Sequence, residues 1–600
     1  FKFYPDSLVA DLDKFSMSEQ QTFPPMPQLV AEGVHQLWLP GLDVMKLSTL
    51  PGKEFSMYNG KLFHSGSLSL TSAGLLGRGS SRFDNADMAS NTFIFKNQSF
   101  NTDTTDFRLY YPERPTVSLT TRIYPGKVDF KTQTGVFGTP GKSVRIELPL
   151  SKYISFMDKL EWRMRSNELF LTNSLAQRAA LADTADLREL VDFDFSGSEF
   201  TSTDPLRDSL QFFAMEATYA MKENQINARE VKMIRVADVA VFPGDGKVTI
   251  LSDGNMQPLQ GASIIANRKN KVHRIYNASV KVNSRKDYSA EGYLDYTDED
   301  GNVEPVFFSP IVVDDTGVTR GKARLGKGEE FALSSHFSFT GNIELNANEP
   351  YLTFDGGYRL TNECVAANGP WVSFRSALNP ASLRLPVQMQ MKDSIGDPVL
   401  AAIVYSDFFG SIYPAVFEKP KAFGDTLVAA ASGSITFDRR SASYLIADDN
   451  RLDGKQLSGN MLILNTKQCI LSGDGSIELG AGLGQVKLQT FGKTDYFTVV
   501  DSGVFNLSMV IDFFFSDQAF SRMRESLLQA NLNGTEVNSP AYASMLYNLL
   551  GEGPARELLE ELNTTGQVRR LPPQLTRSLL LTNLKMTWNP DLKSFISKGT

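Results

Sequence analysis

Apolar and polar residues alternate in short runs through most of this chain, and each run closes on a Gly, Asp or Asn turn. A strand points successive side chains to opposite faces, so this rhythm means one buried face and one wet face. It is plainest from Gly433 to Phe491. Ser434-Ile435-Thr436-Phe437, Met461 to Leu464, Ser476-Ile477-Glu478-Leu479 and Val486-Lys487-Leu488 are the runs, with Asp438, Asn465, Gly473, Asp474 and Gly484 between them. The same rhythm sets Val128/Phe130 against Asp129/Lys131, Val144/Ile146/Leu148 against Arg145/Glu147, and Leu160/Trp162/Met164 against Glu161/Arg163/Arg165. Antiparallel meanders follow.

Composition narrows the class. The chain has 600 residues, 42% hydrophobic and 21% charged, as a folded protein does. A net charge of −8 without a long basic run removes the electrostatic pull toward phosphate backbones, so nucleic acid is not an expected partner. The two cysteines, Cys364 and Cys469, can make at most one disulfide and no cysteine metal site. No apolar run reaches the ~18 residues of a membrane helix; the longest candidate, Val399 to Phe417, is interrupted by Asp407 and Pro414. Transmembrane barrel strands need about 9 to 11 residues with an apolar outer band, and most runs here are shorter and carry outward charges. The start at Phe1, with no charged and then apolar leader, reads as a mature or cropped piece.

The expected fold is all-β: tandem antiparallel meander units, stacked as a solenoid or trough or paired as sandwiches, with a small helical insert near the C-terminus. Residues 1–55, rich in proline, read as a connecting segment, 56–173 as a first β unit, and the Ala-rich stretch 174–190 as a helix or loop linker. Residues 191–370 and 371–505 read as second and third β units, and 506–600 as the helical insert with a returning strand. Asn59-Gly60 marks a two-residue hairpin. In the insert, Phe520, Met523, Leu527 and Leu528 fall at helical spacing. Pro540 opens a helix with Met545, Leu546, Leu549 and Leu550 that Gly551 stops, and Pro554 opens another with Leu558, Leu559 and Leu562. The insert is expected to cover an open sheet edge.

Chemistry is sparse. The four histidines, His35, His64, His273 and His336, show no zinc or catalytic spacing, and each is read as a surface or hairpin residue. Asp295, Asp298, Asp300 and Asn302 around Gly301 lack the spacing of a calcium loop and read as a solvated hairpin tip. No Gly-x-x-x-x-Gly-Lys-Ser/Thr phosphate loop occurs, and no cofactor or metal is expected. Asp315-Thr316-Gly317 and Asp501-Ser502-Gly503 each follow valines, as the paired loops of an aspartic protease do, where two carboxylates share a proton and activate a water. Val318 and Val504 stand where that family places a hydroxyl residue. Asp-Thr-Gly is also ordinary turn chemistry, which leaves a protease on Asp315 and Asp501 as a remote alternative.

Three stretches resemble large envelope proteins of Bacteroides-type bacteria: Phe55 to Gly77, Ser279 to Gly301, and Phe337 to Ile343 with Thr353 to Gly357. That resemblance implies an extracytoplasmic place, periplasmic or at the outer membrane, and no particular activity. Asn460 to Gly480 is similar to one rung of the OstA-like repeats of lipopolysaccharide-transport proteins, which stack strand pairs into an apolar-lined trough; Met157 to Leu169 and Ala217 to Val231 are looser copies. The resemblance implies a non-enzymatic scaffold or trough holding lipid or lipopolysaccharide acyl chains along Ile477, Leu479, Val486 and Leu488, with other envelope proteins as partners. A dry core is the plain reading of those four residues. A surface module recognising glycan or protein through its loops is the competing function.

Overall fold

The computed structural model describes residues 1–112, 115–174, 186–195, 197–326, 328–364, 369–530, 534–576 and 578–597, with 123 and 124 described by backbone alone. Strands make up 54% of the chain and helices 10%. The chain is all-β in its architecture, as the alternation requires. It divides into two compact units, residues 1–295 with 305–322 and 345–350, and residues 296–304 with 323–344 and 351–600.

Unit 1 opens as an antiparallel meander that runs from Leu8–Met17 through Leu29–Leu39, Val44–Thr49, Leu62–Thr71, Gly74–Phe83, Ala86–Phe95 and Ser99–Tyr110 to Val117–Asp129. The first 55 residues therefore contribute three long strands to this sheet rather than only a connecting segment. Their rhythm is concealed because Gly33, at φ 61°, shifts its phase: Leu29 and Ala31 are buried, and then Val34. Asn59 and Gly60 do turn the chain, but within a four-residue turn, since Met57 pairs with Leu62.

At Val117–Asp129 the meander forks. One end of that strand pairs with Thr134–Gly138 and the other with Val144–Leu148. From here the chain builds two ribbons, visiting them mostly two strands at a time. The first ribbon is Thr134–Gly138, Lys159–Arg163, Glu168–Thr172, Glu216–Ala220, Gln225–Arg229 and Val248–Ile250. The second is Val144–Leu148, Tyr153–Met157, Ser198–Ser202, Gln211–Ala214, Ile234–Val236, Val239–Phe242 and Leu259–Ala266. Leu160, Trp162, Leu169, Tyr219 and Ile226 of the first and Ile146, Leu148, Tyr153, Phe200 and Phe212 of the second are fully buried. The change of ribbon at Asp158 is sharp; this buried carboxylate accepts hydrogen bonds from the Gly141 amide at 2.8 Å and from the Ser174 amide and hydroxyl. Strands on either side of residues 174–190 pair with each other, and of that stretch 175–185 lies outside the described residues.

In unit 2, nine antiparallel strands form the main sheet: Leu385–Val387, Gly433–Asp438, Ser443–Ala447, Met461–Asn465, Ile470–Ser476, Lys487–Phe497, Ser502–Asp512, Ser578–Asn589 and Ser594–Ser597. A four-stranded sheet is built on the hairpin Pro398–Ser406 and Ser411–Glu418. This hairpin is the apolar run that resembled a broken membrane helix. Both its faces are covered, with Ala402, Val404, Tyr413 and Ala415 on one and Ala401, Ile403, Ile412 and Val416 on the other, and Asp407 sits in its turn. A strand buried on two sides needs no polar alternate.

The insert is helical as expected, with helices Asp517–Gln529, Pro540–Leu550 and Glu552–Thr565. The Ser539 hydroxyl caps the second by accepting from the Tyr542 amide, and Gly551 at φ 83° ends it. The second and third helices bury Tyr542, Met545, Leu546, Ala555 and Leu558 against Phe491 and Val510. They therefore pack on the face of the sheet, not over its edge, because their apolar stripe is too wide to leave in water. Cys364 and Cys469 are joined as a disulfide.

One hairpin form recurs in both units. A strand pairs across a four-residue turn whose last residue is left-handed, with φ between 44° and 60°: Gln133, Lys152, Asn167 and Asn224 in unit 1, and Gly410, Ala442, Cys469, Asp501 and Lys593 in unit 2. The left-handed residue aims its carbonyl sideways, where the next turn's first amide finds it: Met164 on Gln133 at 3.1 Å, Met221 on Asn167 at 3.1 Å, Thr466 on Ala442 at 3.0 Å and Thr498 on Cys469 at 3.2 Å. The ladder thus continues past the strand ends, and buried turn carbonyls stay satisfied.

Candidate functional site

The sequence-derived candidates are dispersed. Ile477 is buried, and its amide donates to the Thr490 carbonyl at 2.9 Å. Leu479, Val486 and Leu488 are half-buried. Residues 477–486 are irregular; the expected strand at 476–479 ends at Ser476, and the one expected at 486 starts at Lys487. Leu488 lies in register with Ile511, and Ile511 with Leu579; Met509 faces Leu581 on the same side of the sheet. All five of these side chains are half-buried, which makes an apolar strip on the sheet face opposite the helices.

Asp315 and Asp501 lie in different units, each exposed in a turn. The first turn is organised by its neighbour Asp314, which accepts from the Thr316 and Val318 amides at 2.9 and 3.0 Å and pairs with Arg320. Hydroxyl and guanidinium donors hold the Asp314 carboxyl far below its usual range. Asp501 accepts from the Tyr496 hydroxyl. The acidic hairpin is likewise spent internally: Asp298 accepts from the Asp300 and Asn302 amides, and Asp300 from Ser335 and Arg439. No group of three or more His, Cys, Asp or Glu positioned to hold a metal ion occurs among the described residues. His35 bonds Asp11 at the surface and His336 stacks on Phe437. His64 and His273 are buried, contrary to the surface reading; each falls on the inward phase of its strand.

What sequence reasoning missed is a collection of apolar side chains at one end of unit 2, each on a turn. The turn Asp407-Phe408-Phe409-Gly410 carries Phe408, 79% exposed, edge-on to the exposed Phe409 with ring centres 4.9 Å apart. The turn Thr498 to Asp501 carries Val499, 81% exposed, and Val500. The turn Pro590 to Lys593 carries Leu592, 67% exposed, and Phe423 stands fully exposed in the loop before Thr426–Ala430.

Internal contacts bring the turns together. The Lys593 side chain lies against Gly410, and the Tyr405 and Trp588 rings, just behind those two turns, are 5.2 Å apart. The Tyr496 hydroxyl reaches both Asp501 and the Ile412 carbonyl, and Thr426, just after the Phe423 loop, pairs opposite Tyr405.

Three acidic groups in these loops are turned back onto tyrosines, whereas Asp591, beside Leu592, is exposed. Asp407 accepts from the Tyr405 hydroxyl at 3.1 Å, Asp425 from Tyr413 at 2.6 Å, and Asp501 from Tyr496. Burial, and then the adjoining carboxylates, push the Tyr413 and Tyr496 phenols well up, so they remain donors. Lys421 lies over the Tyr413 ring at 4.3 Å, and Lys593 has no ion-pair partner among the described residues. The loops thus lead with apolar side chains, with Lys421, Lys593 and Asp591 beside them. No family model matches the chain, and no curated protein and no solved structure matches it.

Proposed function

We propose that this protein is a non-enzymatic β-scaffold of the cell envelope that seats unit 2 on a lipid surface through the turns carrying Phe408, Phe409, Phe423, Val499, Val500 and Leu592. The observation that carries this reading is the gathering of six exposed apolar side chains on four separate loops at one end. A protein partner needs a continuous patch of about 800 Å² on each side. The six side chains sit on four loops, and the boundary between headgroups and acyl chains accepts each tip by itself. Phenylalanine suits that boundary, and the lysines at the rim can reach lipid phosphates with their stems on apolar surface. The disulfide supports placement in an oxidising compartment, as the periplasm is.

Co-sedimentation with phosphatidylcholine vesicles tests the reading. The full chain is expected to pellet with vesicles and the F408S/F409S double variant to stay in the supernatant. Equal partitioning of the two would overturn it.

The half-buried strip of Leu488, Met509, Ile511, Leu579 and Leu581 favours a second reading, in which unit 2 holds an acyl chain on its sheet face. Organic extraction and mass spectrometry of the purified chain would then return one lipid per molecule; an extract without lipid would dismiss it.

A further inference from the structure

On the outward face of the second ribbon of unit 1, three arginines surround one cleft of about 440 Å³. Arg235 projects from Ile234–Val236 beside Phe213. Arg268 follows Leu259–Ala266, and Arg285 lies in the turn after His273–Ser284; Phe193 and Phe195 form the remaining wall. The volume is that of a small-molecule site, which spans roughly 300 to 1,000 Å³.

The arginines are incompletely used. Arg235 is committed to the loop beside it, donating to the Val191 and Phe193 carbonyls at 3.4 and 3.2 Å and facing the almost fully exposed Asp194 at 3.5 Å. Arg268 gives one nitrogen to the Ala237 carbonyl at 3.2 Å, while its buried Nε has no acceptor among the described residues. The Arg285 side chain has no partner among the described residues. Burial, and after it the positive charge of Arg235, pull the Arg268 guanidinium below its ordinary range; Asp238 offsets this in part and Arg285 adds to it. A buried donor without an acceptor and three like charges around one space both favour an anion there.

We propose that this cleft binds an amphiphilic anion, with its carboxylate or phosphate met by Arg268 and Arg285 and its apolar ring or short chain lying on Phe193, Phe195 and Phe213. The planar fork of a guanidinium matches either oxyanion in a bidentate manner, and the phenyl rings exclude water from the pair. The site lies within unit 1 and does not depend on the loop tips of unit 2.

Isothermal titration calorimetry on the full chain tests it, with octyl phosphate below its micelle concentration, inorganic phosphate and octyl glucoside as probes. Octyl phosphate is expected to saturate one site, inorganic phosphate to bind at least about tenfold more weakly, and octyl glucoside not to bind. Arg285→Glu, which removes no side-chain bond among the described residues, is expected to weaken octyl phosphate by about tenfold or more, and Arg268→Gln similarly. The F408S/F409S variant is expected to bind it as the parent does, which separates this site from the lipid-facing turns. Equal affinity in the parent and Arg285→Glu, equal binding of octyl glucoside, or no binding of octyl phosphate would each overturn the proposal.

Discussion

His64 shows how much a single inward residue can contribute to the pH behaviour of a β-sheet. It is wholly buried, bonds the Ser81 hydroxyl at 2.9 Å and meets the edges of Phe93 and Phe95 with ring centres 5.4 and 5.5 Å away. Burial pushes its imidazole from 6.5 down to about 4. The unfolded chain therefore takes up the proton first, and the folded state resists it. Stability is fully present above pH 6.5 and declines as pH falls toward 4, by roughly 3 kcal/mol from this group alone. Urea unfolding between pH 7 and pH 5 should show a declining midpoint in the parent and a flatter profile in His64→Gln; parallel profiles would refute the assignment. The burial was legible, because Leu62 and His64 share one phase of the alternation. It was passed over because a histidine without a chemical neighbour reads as a surface residue.

At the level of elements, the strands were legible and the turns less so. Alternation located Gly433–Asp438 and Met461–Asn465 to within a residue or two, since one buried face leaves its mark on every second position. Ser443–Ala447 was missed because Tyr444, Leu445 and Ile446 run together without a polar alternate. The recurring turn has a left-handed last residue, but only Asn167, Asn224, Gly410 and Asp501 are of the types that favour that conformation. Gln133, Lys152, Ala442, Cys469 and Lys593 gave no local sign; the first four are held there by an amide of the next connection accepted at their carbonyls. Ala442 has no side chain to lose beyond its methyl, so Ala442→Gly relieves the left-handed strain while the bond from Thr466 remains. A gain of about 0.5 to 1 kcal/mol is expected in chemical denaturation. A loss of stability would mean that the turn is not strained.

For the molecule as a whole, what the sequence could not display is what meets only in space. The chain brings Phe408, Val499 and Leu592 together from three hairpins far apart in sequence, and no local pattern anticipates that. The disulfide acts on the same scale: Cys364 and Cys469 are 105 residues apart, so the bond restricts a long loop of the unfolded chain. Reduction, or Cys364→Ser with Cys469→Ser, is expected to lower the stability of unit 2 by about 4 to 5 kcal/mol, read from its denaturation midpoint. An unchanged midpoint would show that the bond constrains little. The exposed turns carry the opposite expectation: F408S/F409S should leave stability within about 0.5 kcal/mol, because neither ring is part of a core. The most direct measurement of the lipid-seating claim is the fluorescence of the indole introduced by Phe408→Trp, with the parent's signal subtracted, as vesicles carrying brominated acyl chains are added. The account predicts a shift to shorter wavelength and strong quenching; an emission that stays water-exposed and unquenched at saturating lipid would contradict it.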